Sequence, residues 1–423
     1  MTEERRCLPN PYADFTADGL KELASIRDDG HVEFTDGFKE SLTDTIDKMF
    51  KDIENNWAEA ESDKDESVET VYTGLPGIAW AYMQDYKKRG REASLRRAEQ
   101  ILETSRELAA KKDPPNGFTF YMGTAGPLSL SVVAAKLRDS TAAIPSDYIS
   151  GLVESADKML AADAADELLF GRVGYLYALQ LAGCDREPKL RAAFGKVLAE
   201  LLASGRRVRA GYPEESGLPP LLYIYHDYLL LGAAHGLAGI YFLLLDWAKE
   251  DEQFIQGDLK KSIDTLQQFK CADGNFAAGM DAEMKVAGPV DVMVHFCHGA
   301  PGFVHLWLRA YESYKDEQYL KLAEACGEAV WRRGLLKKGY SLCHGAAGNA
   351  YTFVGLYKAT REPRHLYRAL KFAQWIFDYR TRPGLDTPDT PYSLYEGIAG
   401  AVYFLLDLLH IEQAAFPGFY IPE

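Results

Sequence analysis

Residues 295–307 read HFCHGAPGFVHLW, and residues 341–353 read SLCHGAAGNAYTF. Each stretch sets a cysteine directly before a histidine, follows it with Gly-Ala-x-Gly, and then turns apolar. The second copy begins 46 residues after the first. With 6 Cys and 9 His among 423 residues, a duplicated Cys-His pair with matching flanks is not an accident of composition. Cys and His are the side chains zinc prefers, which opens a metal reading. A structural repeat carrying a small buried thiol is the plainer one.

The pair is a special case of a commoner phrase, Gly-x-x-Gly before an apolar, aromatic-rich run. It occurs at Gly74/Gly77, Gly123/Gly126, Gly171/Gly174, Gly236/Gly239, Gly299/Gly302, Gly345/Gly348 and Gly397/Gly400. Successive first glycines are 49, 48, 65, 63, 46 and 52 residues apart, the period of a repeat array. The segments between them, such as YLKLAEACGEAVWRRGLL (319–336) and HLYRALKFAQWIFDYR (365–380), are apolar at i, i+3, i+4 and i+7 and charged elsewhere. Each repeat therefore reads as an amphipathic outer helix, a glycine turn and an apolar inner helix. The longer spacings leave room for insertions such as RAGYPEESGLPPLLYIYHDY (209–228). An open array needs polar end caps. The last repeat here is as apolar as the middle ones, which favours a closed ring. Closure puts the turns around a shared centre lined by the residue before each first glycine: Thr73, Met122, Phe170, His235, His298, His344 and Glu396.

Composition narrows the function. The formal charge is −15, which disfavours nucleic-acid binding. The densest basic run, KKRGREASLRR (87–97), reads as a solvated helix face. The opening MTEERRCLPNPYADF has no apolar signal, Thr2 stands where myristoylation needs glycine, and no uncharged run approaches bilayer length. The expected location is the cytoplasm, with peripheral attachment at the plasma membrane left open. Disulfides are rare there, so the six cysteines are expected as thiols or ligands.

The phrases GAAHGLAGIY (232–241), HFCHGAPG (295–302), LLKKGYSLCHGAAGNAY (335–351) and DTPDTPYSLYEGIAGAVYFLLDLL (386–409) resemble the eukaryotic LanC-like proteins, relatives of bacterial lanthionine cyclases. PNPYADF (9–15) matches their animal branch. The resemblance runs nearly end to end and is weaker over 30–70 and 130–165. It implies an all-α fold, an α/α toroid of seven helical hairpins with seven inner and seven outer helices. The expected organisation is one domain over 1–423, with 1–35 as an extension packing on the ring.

The resemblance also implies one zinc ion held by Cys297, Cys343 and His344, with glutathione as co-substrate. The implied activity is addition of the glutathione thiol to dehydroalanine or dehydrobutyrine residues in peptides and proteins, or transfer of glutathione to other electrophiles. Three protein ligands leave zinc an open fourth position, as catalytic sites do. An entering thiol is held as thiolate there, whereas a free thiol is only a few per cent ionised at neutral pH. An acid must then protonate the α-carbon. His235 is the implied acid, with His298 second. Arg6, Lys338 and the segment Asp386, Thr387, Pro388, Asp389 match glutathione contacts.

Two departures stand out. The family's Arg at the head of that segment is Asp386, with Arg382 as a candidate replacement. The aromatic before the first zinc cysteine, usually Trp, is Phe296. Plainer roles stand beside several residues: turn bonding for His235, packing for His295, a surface position for Lys338, and a structural pair for Arg172. Glu396 is either a partner that orients a ligand or a first-turn carboxylate. The alternative function is a zinc- and glutathione-binding adaptor that docks signalling proteins, favoured if the pocket is plugged. A toroidal glycosidase ranks last, because it needs two carboxylates and the turns supply only Glu396.

Overall fold

The computed structural model describes residues 6–62, 67–111, 117–141, 143–280 and 293–421. Seven helices among them follow the glycine turns: α2 (Leu75–Arg89), α4 (Ala125–Arg138), α6 (Arg172–Ala182), α8 (Leu237–Trp247), α10 (Ala300–Tyr314), α12 (Ala346–Thr360) and α14 (Ile398–Leu408). They are buried nearly all round; every residue of α8 from Leu237 to Leu245 is buried. The intervening helices are α1 (Asp36–Asn55), α3 (Glu92–Ala110), α5 (Ser146–Glu154), α7 (Pro188–Arg209), α9 (Lys260–Thr265), α11 (Glu317–Arg333) and α13 (Pro363–Phe377). Several bury one stripe, as α1 does with Phe38, Leu42, Ile46, Met49 and Ile53, whereas α13 is buried continuously from His365 to Leu370. The fold is the all-α toroid expected from the repeat.

The inner helices close on themselves. α14 packs against α2, and neighbours pair along α4–α6, α8–α10, α10–α12 and α12–α14. The Trp247 indole bridges α8 to α6 through Gln180. The turns are tied by a circuit of backbone bonds. Tyr72 N donates to Tyr121 O (3.1 Å), Phe120 N to Gly174 O (3.2 Å), Leu168 N to Ala234 O (3.2 Å) and Ala234 N to Cys297 O (3.4 Å). Phe296 N then donates to Cys343 O (3.0 Å), Cys343 N to Tyr395 O (2.9 Å), and Tyr395 N back to Tyr72 O (3.1 Å).

This crowding explains the second glycine. At each of the seven, a Cβ would strike the carbonyl six residues upstream, as at Gly239 against Ala233 and Gly348 against Leu342. Gly348→Ala is therefore expected to lower stability by about 2–3 kcal/mol despite the better helix propensity of alanine. Chemical denaturation of the two proteins measures it, and an unchanged midpoint would refute the close-contact argument.

The bore is filled from the far end. After α14 the chain folds back, and Phe416 stacks on Phe296 and Phe419 on Phe242, each with centroids 4.0 Å apart. Side chains hold the tail's backbone: Tyr395 Oη donates to Pro417 O (2.7 Å), Tyr177 Oη to Tyr420 O (2.9 Å), Lys358 Nζ to Ala414 O (2.8 Å), and Tyr121 Oη to Gly418 O. Nothing in the sequence reading anticipated this plug. At the other terminus, Leu8 N donates to Leu335 O (2.7 Å) and Lys337 N to Arg6 O (2.9 Å), so the first described residues run antiparallel to the segment before turn six. Two short hairpins complete the structure: β1 (Ala24–Ile26) with β2 (Val32–Phe34), and β3 (Leu229–Leu230) with β4 (Gly279–Met280). No helix among the described residues is long and apolar enough to cross a membrane.

Candidate active site

The site grows from two adjacent positions of the repeat. The residue two before each first glycine is Tyr72, Tyr121, Leu169, Ala234, Cys297, Cys343 or Tyr395, and most of these carry the backbone circuit. The residue after it sits at the mouth. Thr73, Met122, His235, His298, His344 and Glu396 are partly exposed and Phe170 is exposed, each directly before a buried glycine.

Adjacent turns five and six thus bring together Cys297, Cys343 and His344, whose donor atoms all lie within 4.8 Å of one another. Zinc ligands at about 2.3 Å for sulfur and 2.0 Å for nitrogen stand under ~4 Å apart, so this soft donor set fits one zinc ion after a small contraction. All six cysteines are free thiols. The Cys297 thiol and burial push the Cys343 thiol well up, so Cys343 holds its proton until a cation compensates. Tyr72 donates to Cys343 Sγ at 2.6 Å and stacks flat on Tyr395, centroids 4.6 Å apart. His295 is buried, with Nδ1 3.9 Å from Cys297 Sγ, and burial followed by His344 drives its pKa down to about 3.

Across the mouth, His235 Nδ1 meets Glu167 Oε2 at 2.6 Å. Glu167 is buried and also accepts from Leu169 N (2.8 Å) and Phe170 N. A carboxylate has no proton to give, so Nδ1–H is the donor and Nε2 is left for chemistry. His298 lies between the two halves, its ring 6.3 Å from that of His235. Burial first, then His235, lower its pKa to about 4, which leaves it without an imidazolium proton to donate at neutral pH. Glu167 and Tyr72 were missed by sequence reasoning. Each lies far from its partner in the chain, and neither type is rare.

The cationic side is assembled by the terminal segment. Lys337 N bonds Arg6 O, and Asp386 N bonds Lys337 O at 2.7 Å, which gathers Arg6, Lys338 and the start of Asp386–Asp389. Arg6 and Lys338 are close enough to act on His295. Arg6 Nε is buried without a hydrogen-bond partner, and Lys338 is exposed.

The other side chains singled out in the sequence sit as follows. Arg382 does not replace the missing arginine: its guanidinium lies 3.4 Å over the Trp375 ring and bonds Asp378 at 3.0 Å. Phe296 faces the plug rather than the mouth. Arg172 is a buried structural anchor on Asp166 and the carbonyls of Met159, Ala161 and Ala164. Glu396 accepts from Thr390 Oγ1 (3.2 Å) within its own turn. A second cluster, Glu324, Glu362 and His365, is paired with Arg364.

The sequence matches the family described as lanthionine synthetase C-like protein over residues 65–421. The chain belongs to that family. It is 36% identical over 426 residues to the protein named glutathione S-transferase LANCL1 of Danio rerio, covering 98% of this chain and 99% of that one. Among solved structures it resembles nisin cyclase, with a TM-score of 0.63 and 18% identity over 89% of this chain and 95% of the other. That likeness is one of fold and agrees with the LanC-like ring built from the seven turns.

Proposed function

We propose that this LanC-like protein adds the thiol of glutathione to dehydroalanine and dehydrobutyrine residues of peptides and proteins, or to comparable electrophiles, with one zinc ion held by Cys297, Cys343 and His344. The observation that carries the reading is the pairing of a soft three-donor cluster with a Glu167-oriented histidine across one open mouth. The name of the Danio rerio relative supports glutathione as the thiol. A zinc ion bound there supplies the Lewis acidity that makes a thiol ionise at neutral pH.

The chain's own residues do the rest. The sulfur forms a bond to the β-carbon and the carbon–carbon π bond breaks. Nε2 of His235, its ring oriented by Glu167, returns one proton to the α-carbon. One proton leaves the thiol and one arrives, so no co-reactant is needed. Tyr72 steadies Cys343, and Arg6 Nε offers an unfilled donor for a glutathione carboxylate. The adaptor alternative gains nothing from the tail, which fills the bore beneath the mouth while Cys297, His344 and His235 stay partly exposed.

The deciding experiment incubates the zinc-loaded protein with glutathione and a dehydroalanine peptide and weighs the product. A mass increase of one glutathione is expected; absence of any adduct from protein that binds both zinc and glutathione refutes catalysis and favours the adaptor. Lys338→Ala is expected to weaken glutathione about two- to fivefold, since an exposed ion pair contributes at most roughly 1 kcal/mol. Calorimetric titration measures it. Unchanged affinity would remove Lys338 from the site and leave Arg6 as its cation.

A further inference from the structure

The insertion before turn four has no part in the chemistry described so far, yet its end is built at some cost. Tyr225 and Tyr228 exchange both backbone bonds, at 3.0 and 3.1 Å, across a two-residue turn. His226 and Asp227 at its tip have φ of 48° and 64°. A turn with positive φ at both central residues favours Asn-Gly, and His-Asp holds it under strain. Strain of this kind gathers at functional sites, and this turn lies against one. The Tyr225 ring is 5.2 Å from the His235 ring and within 5° of parallel. Phe170, on the turn that Glu167 ties down, is 6.3 Å from the same imidazole and within 7° of parallel.

Exposure singles out the same place. Among the described residues, the exposed large hydrophobics are Phe170 at 42% and Tyr228 at 48%, and both belong to this cluster. Other aromatics of the turns are buried, as Tyr72, Tyr121 and Tyr395 are. The mouth is thus two-sided, with the cations Arg6 and Lys338 beside His295 and His344, and flat rings beside His235.

We infer that Phe170 and the Tyr225–Tyr228 hairpin form the subsite for the second substrate, a peptide whose planar, conjugated dehydroamino-acyl group lies against these rings beside His235. The inference rests on the proposed addition reaction and deepens it. A dehydroamino-acyl unit is flat and uncharged, so aromatic faces suit it and cations do not select it. Packing it there sets the α-carbon toward His235 and the β-carbon toward the Cys297 side. Anionic glutathione is left to the opposite, cationic wall. Phe170 and Tyr228 act as specificity-determining residues and take no part in proton transfer.

The test uses full-length, zinc-loaded protein with a dehydroalanine peptide and glutathione, varying each substrate separately. Phe170→Ala and Tyr228→Ala are expected to raise KM for the peptide about tenfold each, the size of one lost aromatic contact with its buried area. KM for glutathione and the zinc content are expected to stay within twofold. An active wild type whose Phe170→Ala/Tyr228→Ala double variant keeps the peptide KM overturns the inference. So does an equal rise in KM for glutathione. Fluorescence titration of the same peptide without glutathione separates this result from failure of the reaction itself. A peptide that binds wild type and not the double variant supports the subsite even where no adduct forms, and equal binding to both overturns it.

Discussion

Cys343→Ala is expected to leave purification without zinc and to add no glutathione above the uncatalysed rate. The site has three protein donors, and Cys343 is the most buried of them at 3% exposure. Removing it leaves one sulfur and one imidazole, too few to close a tetrahedral site. Zinc in thiolate-rich sites is worth roughly 10–16 kcal/mol in all, so loss of one of three donors weakens binding by roughly 10²–10⁴-fold. The fold should survive, because residue 343 enters the ring circuit through its backbone N and O, which alanine keeps. Metal analysis after dialysis against a chelator decides the matter. Full zinc in the variant would mean that the duplicated Cys-His pair is a packing unit after all.

His235→Asn is expected to keep zinc and glutathione and to slow addition at least a hundredfold, since a positioned acid is worth roughly 10²–10⁴ in rate. Asn fills similar space and bonds Glu167, but it has no ring nitrogen to deliver a proton. Glu167→Gln tests the same relay from the other side. It keeps the imidazole but removes the charge that holds Nδ1–H at 2.6 Å, so its rate should fall between those of wild type and His235→Asn. The two cysteine and histidine variants fail at different steps, one without metal and the other with it. An undiminished rate in His235→Asn would remove this residue as the acid.

Much of the architecture is legible because one physical demand repeats. A carbonyl six residues upstream bars any Cβ at the second glycine of every turn, so the turns announce themselves in the sequence. The apolar runs after them are buried for the reason given by their composition. Cys297, Cys343 and His344 are legible because neighbouring turns present equivalent positions to one centre. Glu167 is not, since it is one of 62 acidic residues and precedes His235 by 68 positions. Tyr72, 271 residues before Cys343, looks like any core aromatic. The orientation of Phe296 depends on Phe416 of the returning tail, which no local pattern links to it. The aromatic hairpin at 225–228 hides for another reason, as His-Asp is not a sequence that advertises such a turn.

The backbone circuit also sets a timetable. Tyr72 O receives its bond from Tyr395 N, which lies 323 residues downstream. Ribosomes deliver about 5–20 residues per second, so the first apolar helix waits roughly 15–65 s after synthesis for the neighbour that covers its open flank. Cys343 likewise reaches Tyr72 only after 271 further residues. During that interval the nascent chain is an incomplete arc with two uncovered apolar edges, the state in which such a protein is most exposed to aggregation and most in need of a chaperone's hold.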